Sequence, residues 1–223
     1  LKAHAELTRR VASEGFVLLK NDGNTLPLKQ TDRVALFGSG SYKFIAGGRG
    51  SGDVNKAYVV DLRDGLISNG FALNRQLDDR YSKYMERELK RLDKQIHSRP
   101  WYMYEIRPNE MPYPNDFVVE AVEGSDVAIL TIGRNSAEAF DRHIERDFNL
   151  HVDEQALLKA VTREFHKAGK KVVVVLNVCG PVEIASWRDS VDAILVCWQP
   201  GQEGGSSVAD VLSGRVSPSG HLP

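Results

Sequence analysis

Lys171-Val-Val-Val-Val-Leu176 carries four consecutive valines between a helical pattern and a polar turn. A strand with one face in water alternates apolar and polar residues. This one does not, so both of its faces must be covered. Val127-Ala-Ile-Leu-Thr-Ile132, Ala193-Ile-Leu-Val-Cys-Trp198 and the shorter Arg33-Val-Ala-Leu-Phe37 read the same way. Between these runs lie segments of helical spacing, and the alternation of strand and helix predicts an α/β fold around a parallel sheet.

Lys2 to Leu19 reads as an amphipathic helix that becomes extended near Gly15, and Tyr58 to Asn69 as a helix stopped by Gly70. Arg75 to His97 is dense in charge and reads as a solvated surface helix. Asn115 to Glu123, Val152 to Ala168 and Glu203 to Leu212 complete the helical set, and Pro181 to Trp187 starts another with proline in its favoured first turn. From Arg99 to Pro114 the pattern breaks: Pro108, Pro112 and Pro114 exclude a regular helix, and the aromatic content argues against plain disorder.

The 223 residues suit one domain, and a 42% apolar fraction can fill a core without disulfides or metals. A net charge of -1 gives no electrostatic footprint for nucleic acid or an anionic membrane. No apolar run approaches the roughly 18 residues that a membrane span needs. Cys179 and Cys197 end apolar runs and read as small buried hydrophobes. The six histidines are scattered without ligand spacing, although His143 lies close enough in the chain to Glu138 to tune it. The chain opens on Leu1, shows no signal-peptide pattern in these residues, and is expected to be part of something longer. A cytoplasmic and a secreted setting are equally compatible with it.

In an open α/β sheet ligands bind beyond the carboxyl ends of the strands. The loops that meet this rule begin at Gly38, Gly133, Asn177 and Gln199. The richest is Gly133-Arg-Asn-Ser-Ala-Glu-Ala-Phe-Asp-Arg142. Asp141 and Arg142 read as an ion pair or as loop supports. A glycine cluster, Gly47-Gly-Arg-Gly-Ser-Gly52, would let backbone approach a ligand, with the Ser51 hydroxyl at hand. It lacks the phosphate-loop pattern and does not sit directly between strand and helix, which weakens a nucleotide reading; Gly38-Ser-Gly40 is the remaining thin candidate for one.

Four ordered segments together resemble the C-terminal module of family 3 glycoside hydrolases, the β-glucosidase and β-xylosidase family. They are Ala12-Ser-Glu-Gly-Phe-Val-Leu-Leu-Lys-Asn-Asp-Gly-Asn-Thr-Leu-Pro-Leu28, the Ser136 to Arg142 loop, Asn177-Val-Cys-Gly-Pro-Val-Glu183, and the closing run from Gly201 to Pro223. The resemblance implies a three-layer (α/β)6 sandwich with a mostly parallel six-stranded sheet, one domain over 1–223, and a variable insertion at about 75–115, the least family-like part. It implies that Glu138 is the general acid/base, that Ser51 faces the sugar, and that Trp101 walls a subsite by stacking on sugar C–H faces. Trp187 and Trp198 are expected to serve packing.

Such enzymes are retaining and need a second carboxylate, which the family takes from a (β/α)8 barrel. No segment here matches that nucleophile, so the chain alone is expected to be inactive and to complete its site with the barrel. No cofactor or metal is called for. The substrate class is a β-linked oligosaccharide or aryl glycoside; a working Glu138 favours glucosides or xylosides over N-acetylglucosaminides. The alternative is a non-catalytic sugar-binding or structural module in which Glu138 is idle.

Overall fold

The computed structural model describes residues 1–48, 50, 53–98, 107–114, 116–135 and 142–222, the side chains of 96–98 and 146 apart. Strands β1 (Val17–Asn21), β2 (Arg33–Phe37), β3 (Ala72–Leu73), β4 (Val127–Gly133), β5 (Lys171–Asn177) and β6 (Ala193–Val196) form one sheet in the order β1-β6-β5-β4-β2-β3. All neighbours pair parallel except β1 with β6, which is antiparallel. The valine run of β5 is buried from Val172 onward, as its lack of alternation predicts. Helices α1 (Lys2–Gly15), α2 (Leu62–Asn69) and α6 (Gly204–Leu212) pack together on one face. Helices α3 (Arg75–Ser98), α4 (Phe117–Glu123) and α5 (Val152–Lys167) cover the other. There the β2 residue Phe37 meets Phe117 of α4 and Phe165 of α5 edge-on, with centroids 6.3 and 6.0 Å apart. The expected α/β sandwich with its mostly parallel sheet is therefore the observed one.

Three local expectations need correction. Pro181 to Trp187 forms no helix; the Glu183 carboxylate accepts from the Ser186 N–H and hydroxyl at 2.7 and 2.6 Å, a local side-chain bond that competes with helical turns. Helix α2 starts at Leu62 rather than Tyr58, because Val60 pairs with another segment: its N–H donates to the Gln202 carbonyl and its carbonyl accepts from the Gly205 N–H. The charged helix α3 is not merely solvated. Leu77, Tyr81, Met85 and Leu92 bury one face of it, and only the opposite face carries its charge to water. Trp187 is buried as packing; Trp198 lies past the end of β6 with a left-handed φ of 51°.

The glycines of the closing run have a steric reason. A Cβ on Gly205 would stand 2.0 Å from the Asp61 carbonyl oxygen, and one on Gly65 would stand 2.1 Å from that of Gly205. α6 and the start of α2 therefore touch backbone to backbone. Gly205→Ala is expected to lower stability by about 3 kcal/mol, since the obstacle is main chain and cannot rotate away. Denaturant unfolding of the purified variant checks this; a loss under about 1 kcal/mol would mean that the helices slide apart at little cost.

A candidate functional cleft at the strand ends

A cleft of about 580 Å³ opens beyond the carboxyl ends of β2 and β4. Its walls are the turn after β2 (Ser39 to Gly47), the start of the loop after β4 (Gly133, Asn135), the 107–110 segment, and the first turn of α5 with His151 and Glu154. Asp53, Lys56 and the distal part of α3, at Arg91 and Gln95, close it. Two of the four loops picked out in the sequence thus line the cleft directly, and the other two brace it. The Asn177 amide accepts from the Ile45 N–H at 2.6 Å and donates to the Ile45 and Trp198 carbonyls. Gln199 donates to the Asn135 side-chain oxygen at 3.3 Å.

The predicted site residues Glu138, Ser51 and Trp101 lie outside the described residues, as does Asp141. What the structure describes is how their flanks are held. Arg134, before Glu138, is 0% exposed. A buried guanidinium must have its charge and its N–H groups satisfied. Arg134 donates two bonds of 2.7 and 2.6 Å to the Glu154 carboxylate and others to the carbonyls of Gly133, Asp147 and Asn149. Burial pushes the Glu154 carboxyl up, but its bonds to Arg134 outweigh that and hold it below the ordinary carboxylate range. Glu154 also accepts from the His151 N–H at 2.8 Å, closing a capping box at the start of α5. Arg142, after Glu138, is indeed a loop support, with Asp147 as its described ion-pair partner. Its guanidinium also donates to the Pro181 carbonyl at 2.6 Å. Both flanks of 136–141 are therefore tied to Asp147.

Sequence reasoning missed the acid on the facing wall. Glu110 is half-buried, with its carboxyl turned inward. It accepts from the N–H of Ser39 and of Met111 and from the Tyr81 hydroxyl, each at 2.9 Å. Tyr81 is fully buried and stacks on Tyr42 at 5.0 Å. Desolvation raises the Glu110 carboxyl from 4.5 to about 7 despite those donors. Nothing in a proline-broken stretch signals such a role. Glu154 was more legible, standing three residues after the N-cap of a clear helix.

The same contacts weigh against a nucleotide. Gly38, whose φ of 86° suits glycine, gives its N–H to the Tyr81 oxygen, and Ser39 gives its own to Glu110. Two of the amides that would cradle a phosphate are thus taken, and one of them faces an acid. Among the described residues no group of three His, Cys, Asp or Glu side chains could hold a metal, and no helix is long and apolar enough to cross a membrane. Cys197 is buried, which pushes its thiol well up, while Cys179 is only half-buried.

Two outcomes follow from these electrostatics. Arg134→Met leaves Glu154 without its main counter-charge and the Asn149 carbonyl without its donor, while the Asp147 carbonyl keeps only its bond from Arg142. It is expected to cost about 3–5 kcal/mol in denaturant unfolding, whereas the double variant Arg134→Met/Glu154→Leu recovers part of that loss. Glu110 has a folded pKa above its unfolded one, so its contribution is fully present below about pH 4.5 and is lost as pH rises through about 7. Glu110→Gln removes that dependence. Its stability relative to wild type is expected to rise between pH 5 and pH 8, by on the order of 2 kcal/mol. Equal pH profiles would show that Glu110 is not held away from its ordinary pKa.

Known proteins match this architecture along its whole length. The family described as "Glycosyl hydrolase family 3 C-terminal domain" matches residues 16–223. Beta-glucosidase A of Butyrivibrio fibrisolvens is 33% identical over 98% of this chain, and a beta-glucosidase of Ruminococcus albus is 35% identical over 99% of it. The chain spans only 28% and 22% of those two proteins. Among solved structures, beta-glucosidase 3B from Thermotoga neapolitana in complex with α-D-glucose superposes with a TM-score of 0.90 at 40% identity, covering all of this chain and 31% of its own. A beta-glucosidase from Paenibacillus barengoltzii gives 0.89 at 33%, covering 98% of this chain and 23% of its own. With its sheet order, its strand-end cleft and these matches in agreement, the chain belongs to the glycosyl hydrolase family 3 C-terminal domains.

Proposed function

We propose that this chain is the acid/base-bearing half of a retaining β-glycosidase of β-glucosidase type, working against a (β/α)8 barrel that lies elsewhere in the same enzyme. The observation that carries the reading is the end-to-end likeness to proteins named as beta-glucosidases, of which this chain spans a third or less. The cleft adds chemical support. It is polar, it stands at the strand ends, and the loop that holds Glu138 is anchored on both flanks beside it.

In this reading residues 1–223 act as one domain. A carboxylate of the barrel attacks the anomeric carbon while the Glu138 carboxylic acid gives its proton to the glycosidic oxygen, which leaves as an alcohol. The Glu138 carboxylate then takes a proton from water as that water displaces the enzyme carboxylate from the sugar. The two carboxyl groups in such a site stand roughly 5 Å apart. Ser51 bonds a sugar hydroxyl, and Trp101 stacks on a sugar face. Neither a metal nor a cofactor takes part. Because the nucleophile is not in this chain, the chain by itself hydrolyses nothing.

The test is aryl β-glucoside hydrolysis by the full-length protein that contains this chain, wild type against Glu138→Ala, with and without azide. The variant is expected to lose at least 100-fold in kcat/KM on poor leaving groups and far less on activated ones, with azide restoring turnover. A small anion replaces the missing base, and an activated leaving group needs no acid. A variant that behaves as wild type would favour the non-catalytic alternative for this domain.

A further inference from the structure

The cleft has two walls of different origin. One descends from β2 through Ser39 to Gly47 and leads into the glycine cluster with Ser51; the other is the 107–110 segment that follows the stretch with Trp101. These segments are far apart in the chain, and Ser39 and Glu110 are separated by 71 positions. Glu110 is the group that joins them. One carboxyl oxygen accepts from the Ser39 N–H, and the other from the Met111 N–H and the Tyr81 hydroxyl of α3. Tyr81 in turn takes the Gly38 N–H at 3.1 Å, and Tyr84 of the same helix donates to the Asn109 carbonyl at 3.1 Å. An inward-turned acid with backbone donors from both walls is costly to bury, so its presence there calls for a reason beyond packing.

We propose that Glu110 is a positioning residue whose carboxylate locks the turn after β2 to the 107–111 segment, and so fixes the spacing between these two walls of the cleft. This rests on the reading above, in which the cleft takes the substrate. Glu110 does not touch the reacting atoms. Loosening its lock lets the walls breathe and weakens substrate binding, while the proton transfer by Glu138 is left intact once the sugar is seated.

The experiment uses the full-length protein as wild type, Glu110→Gln, Tyr81→Phe and Glu138→Ala. Glu110→Gln keeps the shape but turns one acceptor into a donor that opposes a donor. Tyr81→Phe removes one hydroxyl and is the milder change should the first variant fold poorly. Amide hydrogen exchange is followed at peptides covering 38–41 and 107–111, together with KM and kcat for an activated aryl β-glucoside. In Glu110→Gln exchange is expected to speed up at least fivefold in both segments, with KM up about fivefold and kcat within twofold of wild type. Tyr81→Phe is expected to shift both readouts the same way by less. Unchanged exchange in both variants overturns the lock. Faster exchange with unchanged KM, while Glu138→Ala is crippled, overturns the positioning role and leaves the proposed function standing. If wild type does not hydrolyse the glucoside, the proposed function fails and the positioning role with it, while the exchange data still decide whether the lock exists.

Discussion

The burial of one guanidinium organises the strand-end cleft of this molecule. Arg134 has no exposed surface, so every one of its bonds must come from protein. It finds them in a carboxylate on α5 and in the carbonyls of Gly133, Asp147 and Asn149. The chain just before α5 is therefore held against the charge. That contact accompanies the pairing of Asp147 with Arg142, sets His151 and Glu154 in the cleft wall, and ties down both described flanks of the segment that contains Glu138. A hydrophobe at 134 could fill the same volume. It would not dictate where the carbonyls of Asp147 and Asn149 point.

The sheet supplies the rigid half of the arrangement. β2, β4 and β5 pair in parallel register, and β4 with β5 stays paired from Val127–Lys171 to Gly133–Asn177. Their carboxyl ends therefore come out side by side. Asn177, at the last step, reaches across to Ile45 and Trp198. On the opposite face of the sheet from α5, the close backbone contact of α6 with residues 60–65 holds the helices that cover it. Gly205 of the closing run is thus a steric necessity at a helix crossing rather than part of a ligand loop.

Much of this was legible in the sequence, for identifiable reasons. Unbroken valine in β5 can only be a strand covered on both sides, and the helical spacing around it gave α5 to within a residue. The reading failed where long-range partners overrode local preference. Val60 is held extended by Gln202 and Gly205, so α2 starts late; Glu183 bonds Ser186, so the proline-led helix never forms. The charge of α3 concealed a buried stripe whose Tyr81 reaches Glu110 in the cleft wall. The resemblance to family 3 modules pointed to Glu138, Ser51 and Trp101, but it carried no signal for the groups that brace their flanks.

The sequence by itself determined the class of fold, the strand ends at which a site must lie, and the family. Each of these follows from patterns between near neighbours or from runs of residues in a fixed order. Only the tertiary structure decided that Arg134 answers to Glu154, that Arg142 pairs with Asp147, and that Glu110 bridges two walls through Ser39 and Tyr81. The physical reason is that a polar side chain is indifferent to its neighbours along the chain while water surrounds it. It acquires a specific partner when folding removes the water and leaves one nearby group able to replace it.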